Sequence, residues 1–204
     1  MVLLNQKILG IAILTLLGGL VAIKRLATGS IFDKPQGSLL VKLVNLFNLF
    51  FLLVVNPVAG VLLITGKIEV IGVTRIAIGM PRLLPVLEIL GATAYVLGFF
   101  TMAWALLTLG RSYQLGGSTP RTQDDMIADG PYKVVRHPMY AAALSISLGL
   151  ACLTQSWAFL AVFFIYLVLV LPLIALEERD LRKVYGERYA AYQQKVKRLV
   201  PLVY

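Results

Sequence analysis

Long apolar runs separated by short polar segments constrain this chain more than any other feature of its sequence. A helix needs about 20 apolar residues to cross the hydrocarbon core of a bilayer. Five runs reach or approach that length, at residues 8–23, 39–65, 83–109, 138–154 and 157–176. Hydrophobic residues make up 59% of the chain and charged residues 14%, whereas soluble domains are nearer half and a quarter. The sequence therefore predicts an all-α integral membrane protein with about five transmembrane helices.

The order of the runs predicts a single membrane domain, residues 1–204. The fourth and fifth runs are joined only by Gln155-Ser156 and should form an antiparallel hairpin. After the fifth run, apolar side chains recur at steps of three and four, which is typical of an amphipathic helix. In chain order the predicted parts are three N-terminal spans (1–109), a cofactor loop (110–137), a helical hairpin (138–176) and a C-terminal amphipathic helix (177–204).

Several local features refine this prediction. The Asn56-Pro57 pair should interrupt the second run, and Gly186 should mark a bend or a close approach within the C-terminal helix. Residues 68–80 are too short to span and should lie in the interface or form a small hairpin. The polar loop from Arg111 to Asp129 is expected to act as a mobile cover. A packing face for another helix is predicted on the fourth run by small residues at four-residue spacing, namely Ala141, Ser145 and Gly149.

Lysine and arginine residues predict the orientation. Most of them, including Lys24-Arg25 and those of the C-terminal tail, fall on one side of the five predicted spans. Cytoplasmic loops carry an excess of these residues. The N-terminus is therefore expected outside, and the C-terminus in the cytoplasm. One alternative is that the first run is a cleaved signal peptide, but the basic pair directly after it favours a retained span.

Two polar clusters stand out against the apolar background. Arg136-His137 contains the only histidine and precedes the fourth run, while Glu177-Glu178 follows the fifth. Both clusters should lie at the same cytoplasmic boundary. Each has a simpler interpretation, because charged flanks and polar helix ends are ordinary at membrane boundaries. Tyr132 and Tyr140 flank the histidine, where they would face a bound cation or belong to an interfacial aromatic belt.

Other functional classes lack their sequence signatures. No glycine-rich dinucleotide motif or phosphate-binding loop is present. One histidine and one cysteine do not supply a usual zinc ligand set, so no metal is expected. The formal charge of +9 fits membrane orientation and contact with anionic lipid. Nucleic-acid partners are not expected, because no basic run outside the C-terminal helix carries interleaved aromatic residues.

The ordered motifs resemble a known family. The pattern G-P-Y-x-x-V-R-H-P-M-Y precedes the hydrophobic hairpin, and E-E and Y-G-E-R-Y-x-x-Y follow it. This order is similar to that of the isoprenylcysteine carboxyl methyltransferases, and phospholipid N-methyltransferases share its R-H-P and E-E core. The resemblance covers roughly residues 109–201. The first three spans carry no motif that matches, so the chain departs from the animal enzymes at its N-terminal end.

The resemblance implies a prokaryotic membrane methyltransferase that holds S-adenosylmethionine at its cytoplasmic face, with no metal. It implies catalytic roles for Arg136, His137 and Glu178. One of the two glutamates would hold the α-amino group of the cofactor. The cofactor contacts that it implies, with Asp129 and Tyr192 as further neighbours, are Gly130, Tyr132, His137, Pro138, Tyr140, Glu177, Glu178, Tyr185 and Tyr189.

The acceptor is expected to be a lipophilic molecule that enters from the bilayer, surrounded by membrane lipids. A carboxylate such as that of an isoprenylcysteine is already ionised at neutral pH and needs no general base. An amine lipid is the second possibility, and would have to lose a proton, to His137 or to a glutamate. A sterol-type membrane reductase and a non-catalytic membrane scaffold are the alternatives from other classes.

Overall fold

The computed structural model describes residues 4–32, 38–67, 76, 82–113 and 126–201. Helices dominate this described part. Two 3-10 turns, Gly110–Ser112 and Gly130–Lys133, flank the polar loop. The α-helices are α1 (Gln6–Thr28), α2 (Leu39–Phe50), α3 (Asn56–Thr65), α4 (Leu83–Leu109), α5 (Pro138–Thr154) and α6 (Trp157–Lys195).

Local sequence explains where the helices begin and end. Asn5 starts α1, because its side chain accepts hydrogen bonds from the backbone N–H groups of the first turn. Pro138 occupies the first position of α5, where its missing N–H leaves no hydrogen bond unmade. Gln155 adopts a φ of 49° and Ser156 caps α6, so two residues reverse the chain. The predicted hairpin between the fourth and fifth runs is thereby confirmed.

The second span is continuous, although its sequence predicted an interruption at Asn56-Pro57. A π-helical turn, Phe51–Val55, joins α2 to α3 at this point. Pro57 has no N–H with which to continue the helical ladder. The Asn56 side chain instead donates to the Phe51 carbonyl at 3.0 Å, and the Tyr95 hydroxyl donates to Asn56 at 3.0 Å. The proline therefore widens the helix locally, and a neighbouring helix supports the widened turn.

Close contact between α4 and α5 forms the centre of the bundle. A Cβ atom added to Gly149 would lie 2.8 Å from the Gly91 carbonyl oxygen, which shows how near the two backbones come. Ser145 donates a hydrogen bond to the Ala94 carbonyl at 2.8 Å. The small-residue face predicted on the fourth run is therefore a packing surface. Such faces suit membranes, where close van der Waals packing holds helices together.

The protein is an integral, multi-pass membrane protein. Within the described residues, four spans have the length and composition to cross a bilayer: α1, the continuous second span Leu39–Thr65, α4 with its following turn, and α6. Helix α5 has 17 residues and measures about 25 Å, slightly less than the hydrocarbon core. Together they form the five-span architecture that the sequence predicted.

Helix α6 is far longer than a membrane requires. Its 39 residues correspond to about 58 Å. The first 20 residues carry no charge, so they form the membrane span, and the part from Glu177 onward extends past it. The predicted bend at Gly186 is present, because this residue has a φ of 53° and a ψ of −129° inside the helix. The helix ends at Lys195, earlier than predicted, and Val196 is already extended.

Four chain segments converge at one end of the bundle, which we call the motif end. These are the end of α1, the start of α2, the start of α5 and the part of α6 around Glu177, and all of them line a common cavity. Two predictions lie mostly outside the described residues. Of residues 68–80 only residue 76 is described, and of the loop between residues 111 and 129 only 111–113 and 126–129 are.

Candidate functional site

Arg136 and His137 are fixed by the turn that precedes them. Gly130 begins this turn with a φ of 55°, a conformation that favours glycine. A Cβ atom there would lie 2.7 Å from the Thr108 hydroxyl on α4, so the turn packs tightly on that helix. His137 is the residue before Pro138 and lies at the start of α5 with a φ of −123°. The proline keeps this residue out of the helix and directs its ring into the bundle.

Glu178 is the centre of an ionic cluster. Its Oε1 lies 2.8 Å from Nε of Arg136 and 2.7 Å from Nη2 of the same guanidinium. Its Oε2 lies 3.0 Å from Nε and 2.9 Å from Nη2 of Arg198. Nε2 of His137 lies 3.3 Å from Oε1. Glu178 is only 4% exposed, and every contact in the cluster comes from a cation or a possible cation.

These contacts shift the pKa values of the cluster. Burial raises the pKa of Glu178, but hydrogen bonds from His137, Arg198 and Arg136 outweigh it and lower the pKa to about 2. Burial lowers the pKa of His137, but hydrogen bonds and charges from Glu177 and Glu178 outweigh it and raise the pKa above its ordinary value. Glu178 is therefore a firmly ionised anchor, and the two glutamates favour the protonated form of His137.

Glu177 and Glu178 have different surroundings although they are neighbours in the chain. Adjacent helical residues point about 100° apart. Oε2 of Glu177 lies 3.5 Å from Nδ1 of His137, on the opposite edge of the ring from Glu178. Glu177 lines the cavity, whereas Glu178 does not. The ring of His137 therefore lies between Glu177, which faces the cavity, and Glu178, which lies behind the cavity wall.

A cavity of about 520 Å³ connects the ionic cluster with the interior of the bundle. It is lined mainly by apolar side chains, and its polar groups concentrate at the motif end. Gly130 and Glu178 are absent from the lining and support it from behind. The predicted site residues that do line the cavity are Tyr132, Arg136, His137, Pro138, Tyr140, Glu177, Tyr185 and Tyr189, with Tyr192 beside them.

The tyrosine side chains enclose the polar part of the cavity. The ring of Tyr140 stacks on His137, with 5.7 Å between the ring centroids. The hydroxyl of Tyr192 donates to the carbonyl of Tyr132 at 2.5 Å and so ties α6 to the turn before His137. The hydroxyl of Tyr189 is buried and has no hydrogen-bond partner within the described part of the chain. A buried hydroxyl without a partner is costly, so it marks a position where a ligand would add a hydrogen bond.

The apolar part of the cavity lies between helices that separate from each other. Helix α1 packs on α3 and α4, whereas α2 packs on α6. Leu17 and Leu20 of α1 and Leu46 and Leu49 of α2 line the cavity. Leu46 is also 63% exposed, so the cavity is open along this apolar face of α2. The cavity therefore reaches the surface that contacts lipid.

Sequence reasoning missed several residues of this site. Arg198 completes the coordination of Glu178, but in the sequence it is only one of several basic residues in the tail. Lys24, Asn45 and Asn48 line the cavity from the first two spans. The spacing of Asn45 and Asn48 puts them near one helix face, but the sequence alone does not tell a cavity face from a packing face. Only the convergence of the helices in space reveals these contributions.

Comparison with known proteins identifies the family. A family model described as phospholipid methyltransferase matches residues 86–188, just over half of the 204 residues. The chain belongs to the phospholipid methyltransferase family. The matched region includes most of α4, the turn at Gly130, the Arg136-His137 motif, the hairpin and the glutamate pair. The predicted resemblance to this group of membrane methyltransferases is confirmed.

Two curated relatives match parts of the chain. One is the cobalt-zinc-cadmium resistance protein CzcN of Cupriavidus metallidurans, 32% identical over 98 residues, which are 48% of this chain and 45% of that protein. The other is the protein-S-isoprenylcysteine O-methyltransferase B of Arabidopsis thaliana, 29% identical over 118 residues, 55% of this chain and 58% of that protein. The chain spans about half the length of these curated relatives.

A solved structure shares the fold. The eukaryotic intramembrane Ras methyltransferase, an isoprenylcysteine carboxyl methyltransferase, matches with a TM-score of 0.53. The match covers 92% of this chain and 74% of that chain, at 17% sequence identity. It therefore extends to the first three spans, for which the sequence carries no recognisable motif, and confirms the all-α membrane fold.

Proposed function

We propose that this member of the phospholipid methyltransferase family transfers the methyl group of S-adenosylmethionine to a lipophilic acceptor that enters from the bilayer. The observation that carries the proposal is the shape and polarity of the cavity. One end holds Glu177, His137 and a group of tyrosines, while the other is apolar and reaches the lipid-facing surface. A charged soluble cofactor and a membrane lipid would meet in such a space.

The residues present fit the cofactor. S-adenosylmethionine carries an ammonium group and a sulfonium cation. Glu177 supplies a carboxylate that faces the cavity and would take the ammonium group. Tyr140 and Tyr185 line the same space, where an aromatic ring would attract a cation. The buried hydroxyl of Tyr189 would give or accept a hydrogen bond that the described residues do not provide.

Glu178 has a different role from Glu177. Both of its oxygens are engaged by cations, and it lies outside the cavity lining. We assign it to orienting His137 and Arg136. His137 then holds Glu177 toward the cavity through Nδ1, at 3.5 Å. Arg136 and Glu178, which the family resemblance implied to be catalytic, are positioning residues in this assignment.

The reaction requires alignment and the exclusion of water more than acid–base chemistry. When bound, S-adenosylmethionine supplies an electrophilic methyl carbon on a positively charged sulfur. Transfer of this carbon to an acceptor oxygen would leave the electron pair of the broken carbon–sulfur bond on the sulfur, so a carboxylate acceptor would need no base from the protein. The apolar walls and the tyrosine rings exclude water, which strengthens the electrostatic attraction between the reactants. Fixed alignment in such a site supplies several kcal/mol of the barrier reduction.

A carboxylate is the preferred acceptor, as in an isoprenylcysteine-like molecule. Such a group is already ionised, and Lys24 and Lys42 line the cavity, where they would favour an anionic head group. One relative is named as an isoprenylcysteine O-methyltransferase, which is consistent with this choice. An amine lipid is the second candidate, favoured by the name of the family. In that case the amine would have to lose a proton, and His137 and Glu177, which both line the cavity, are the candidate proton acceptors.

We place the motif end, and with it the active site, at the cytoplasmic face of a prokaryotic cell membrane. Lys24, Arg25 and Lys42 lie at the same end as Arg136, and the basic tail follows α6. The excess of positive charge at cytoplasmic loops supports this orientation. The N-terminus would then be outside.

Binding of S-adenosylhomocysteine to the purified protein tests the proposal. Isothermal titration should give saturable binding, and Glu177→Gln should weaken it about tenfold to a hundredfold, as expected for a lost charge-assisted hydrogen bond. Lys133→Ala is a matched control on an exposed ion pair outside the cavity. No saturable binding would refute the methyltransferase and leave a sterol-type reductase or a membrane scaffold.

Labelling of a lipid extract with methyl-labelled S-adenosylmethionine identifies the class of acceptor. A methyl ester releases labelled methanol in mild alkali, whereas an N-methyl group keeps its label. We expect an alkali-labile product. An alkali-stable product would replace the carboxylate by an amine acceptor and leave the cofactor assignment unchanged.

A further inference from the structure

The chain beyond α6 pairs with the segment that carries Arg136 and His137. The backbone N–H of Arg136 donates to the Lys197 carbonyl at 2.7 Å, and the N–H of His137 donates to the Arg198 carbonyl at 3.0 Å. A parallel β-bridge joins Val135 to Lys197. Residues 196–199, which we call the C-terminal latch, therefore run alongside the motif in a defined register.

Side chains reinforce the backbone pairing. The Arg136 guanidinium donates to the carbonyls of Gln193, at 3.1 Å, and Val196. Leu199 is 8% exposed and packs in the same apolar cluster as Val41 and Val44 of α2. The latch is thus attached to the motif on one side and to the second span on the other.

Arg198 is the link between the latch and the glutamate pair. Its guanidinium places two nitrogens, at 3.0 and 2.9 Å, on Oε2 of Glu178, the oxygen that Arg136 and His137 do not use. The Arg198 side chain is 35% exposed, whereas that of Glu178 is 5% exposed. A partly exposed guanidinium of the latch therefore pairs with a buried carboxylate. The family model ends at residue 188, and the latch lies beyond it.

We propose that the C-terminal latch supports the cofactor site from behind the cavity wall and that Arg198 is its positioning residue. Arg198 fixes one oxygen of Glu178, so the other oxygen stays aligned with Arg136 and His137, and His137 in turn holds Glu177 toward the cofactor. This inference rests on the proposed function, because the ligand whose binding it controls is the methyl donor. It adds a determinant from a segment that the family match does not include.

Three single variants test the latch by titration with S-adenosylhomocysteine. Arg198→Ala should weaken binding about tenfold, as one charged hydrogen-bonding partner of Glu178 is lost. Arg198→Lys keeps the cation and should recover most of the affinity. Lys195→Ala is the matched control, because it removes an exposed positive charge from the end of α6 without altering the latch, and its affinity should equal that of the parent protein.

A double-mutant cycle separates positioning from general stabilisation. Glu178→Gln removes the group through which Arg198 acts, so Arg198→Ala should have little further effect on affinity in that background. Equal affinity of the parent and Arg198→Ala would overturn the proposal. So would additive losses in the double variant, or a failure of Arg198→Lys to restore binding while all variants melt cooperatively.

Amide hydrogen exchange tests the latch in the absence of any ligand. The latch protects the backbone N–H groups of Arg136 and His137, so Arg198→Ala should accelerate exchange in peptides that contain them, and Lys195→Ala should not. If the parent protein binds no S-adenosylhomocysteine, the proposed function fails and the latch is judged on exchange alone. If the Arg136 and His137 amides then exchanged at the same rate in Arg198→Ala as in the parent protein, the proposed role of Arg198 in the latch would be refuted.

Discussion

Arg136 and Glu178 form an ion pair at 2.7 Å, although their side chains are only 8% and 5% exposed. Removing two charges from water is costly, and the mutual attraction of a buried pair often only offsets that cost. Their contribution is therefore mainly one of orientation. The pair joins the start of α5 to the part of α6 that leaves the membrane, and it fixes the position of His137 between the two glutamates.

Breaking this pair from one side should be strongly destabilising. Arg136→Ala leaves the Glu178 carboxylate buried with fewer cations, and the expected loss in the free energy of unfolding is about 3–5 kcal/mol. Thermal melting of the purified protein in detergent measures this loss. Lys133→Ala breaks an exposed pair with Asp129 and should leave the melting temperature nearly unchanged. If Arg136→Ala and Lys133→Ala had similar melting temperatures, the buried pair would not be what holds the two helices together.

Replacing each glutamate by glutamine should affect a different property of the protein, ligand binding for Glu177 and thermal stability for Glu178. Glu177→Gln removes a charge at the cavity wall, so it should weaken S-adenosylhomocysteine binding and lower the melting temperature of the free protein only slightly, through the lost contact with His137. Glu178→Gln removes the common partner of Arg136 and Arg198, so it should lower the melting temperature clearly. Calorimetric titration and thermal melting on the same preparations compare the two. A clear fall in melting temperature for Glu177→Gln alone would reverse the assignment.

Much of the fold could be predicted from apolar run lengths and capping residues. The runs at 83–109 and 138–154 coincide with α4 and α5, because a charge, a proline or a Gln-Ser turn marks each boundary in the sequence itself. The end of α6 was predicted too far along the chain. Apolar residues continue at helical spacing through Leu199, so the periodicity does not show that Val196 becomes extended. The change depends on pairing with the motif, which is a contact between distant parts of the chain.

The site was predictable where residues are unusual and hidden where they are common. A single histidine before a proline and a glutamate pair at the end of an apolar run are distinctive, and the structure brings them together. Arg198 has no such signal among the many basic residues of the tail. The division of labour between Glu177 and Glu178 was also left open, because neighbouring positions on a helix differ only in which side they face. The direction of α6 in the bundle determines that difference.

The stability of the free protein should fall as the pH rises through neutrality. The pKa of His137 is raised in the folded state by Glu177 and Glu178. The Tyr140 ring stacks on His137, and Arg136 and Arg198 are paired with Glu178 beside it. A group with a raised pKa contributes stability that is fully present below its unfolded value of about 6.5 and is lost as the pH passes its folded value. The melting temperature should therefore decline above about pH 6.5.

The variant His137→Gln isolates this effect. Glutamine cannot be protonated in this range, so the difference in melting temperature between the parent and the variant should shrink as the pH rises from 6 to 9. Other groups that titrate in the window contribute equally to both proteins and cancel in the comparison. Parallel curves would mean that His137 carries no extra proton in the folded state. At the acidic end Glu178 acts with the opposite sign, and its contribution should be lost between about pH 4.5 and its pKa of about 2.

The contact between α4 and α5 should tolerate no added methyl group at Gly149. A Cβ atom there would lie 2.8 Å from both the Gly91 carbonyl oxygen and the Tyr95 nitrogen, and these are backbone atoms that cannot rotate away. Gly149→Ala should therefore cost about 1–3 kcal/mol of stability, as overpacking does elsewhere.

Gly18→Ala provides the matched comparison, because Gly18 lies inside α1 and a Cβ atom there meets nothing within 4 Å. The change should be neutral or stabilise the protein by up to about 1 kcal/mol, since alanine favours the helix. Melting of the two variants in detergent distinguishes the outcomes. If Gly149→Ala melted at or above the temperature of Gly18→Ala, the two helices would not be as close as the structure indicates. The position of His137 at the head of α5 would then also need revision, because α5 carries it.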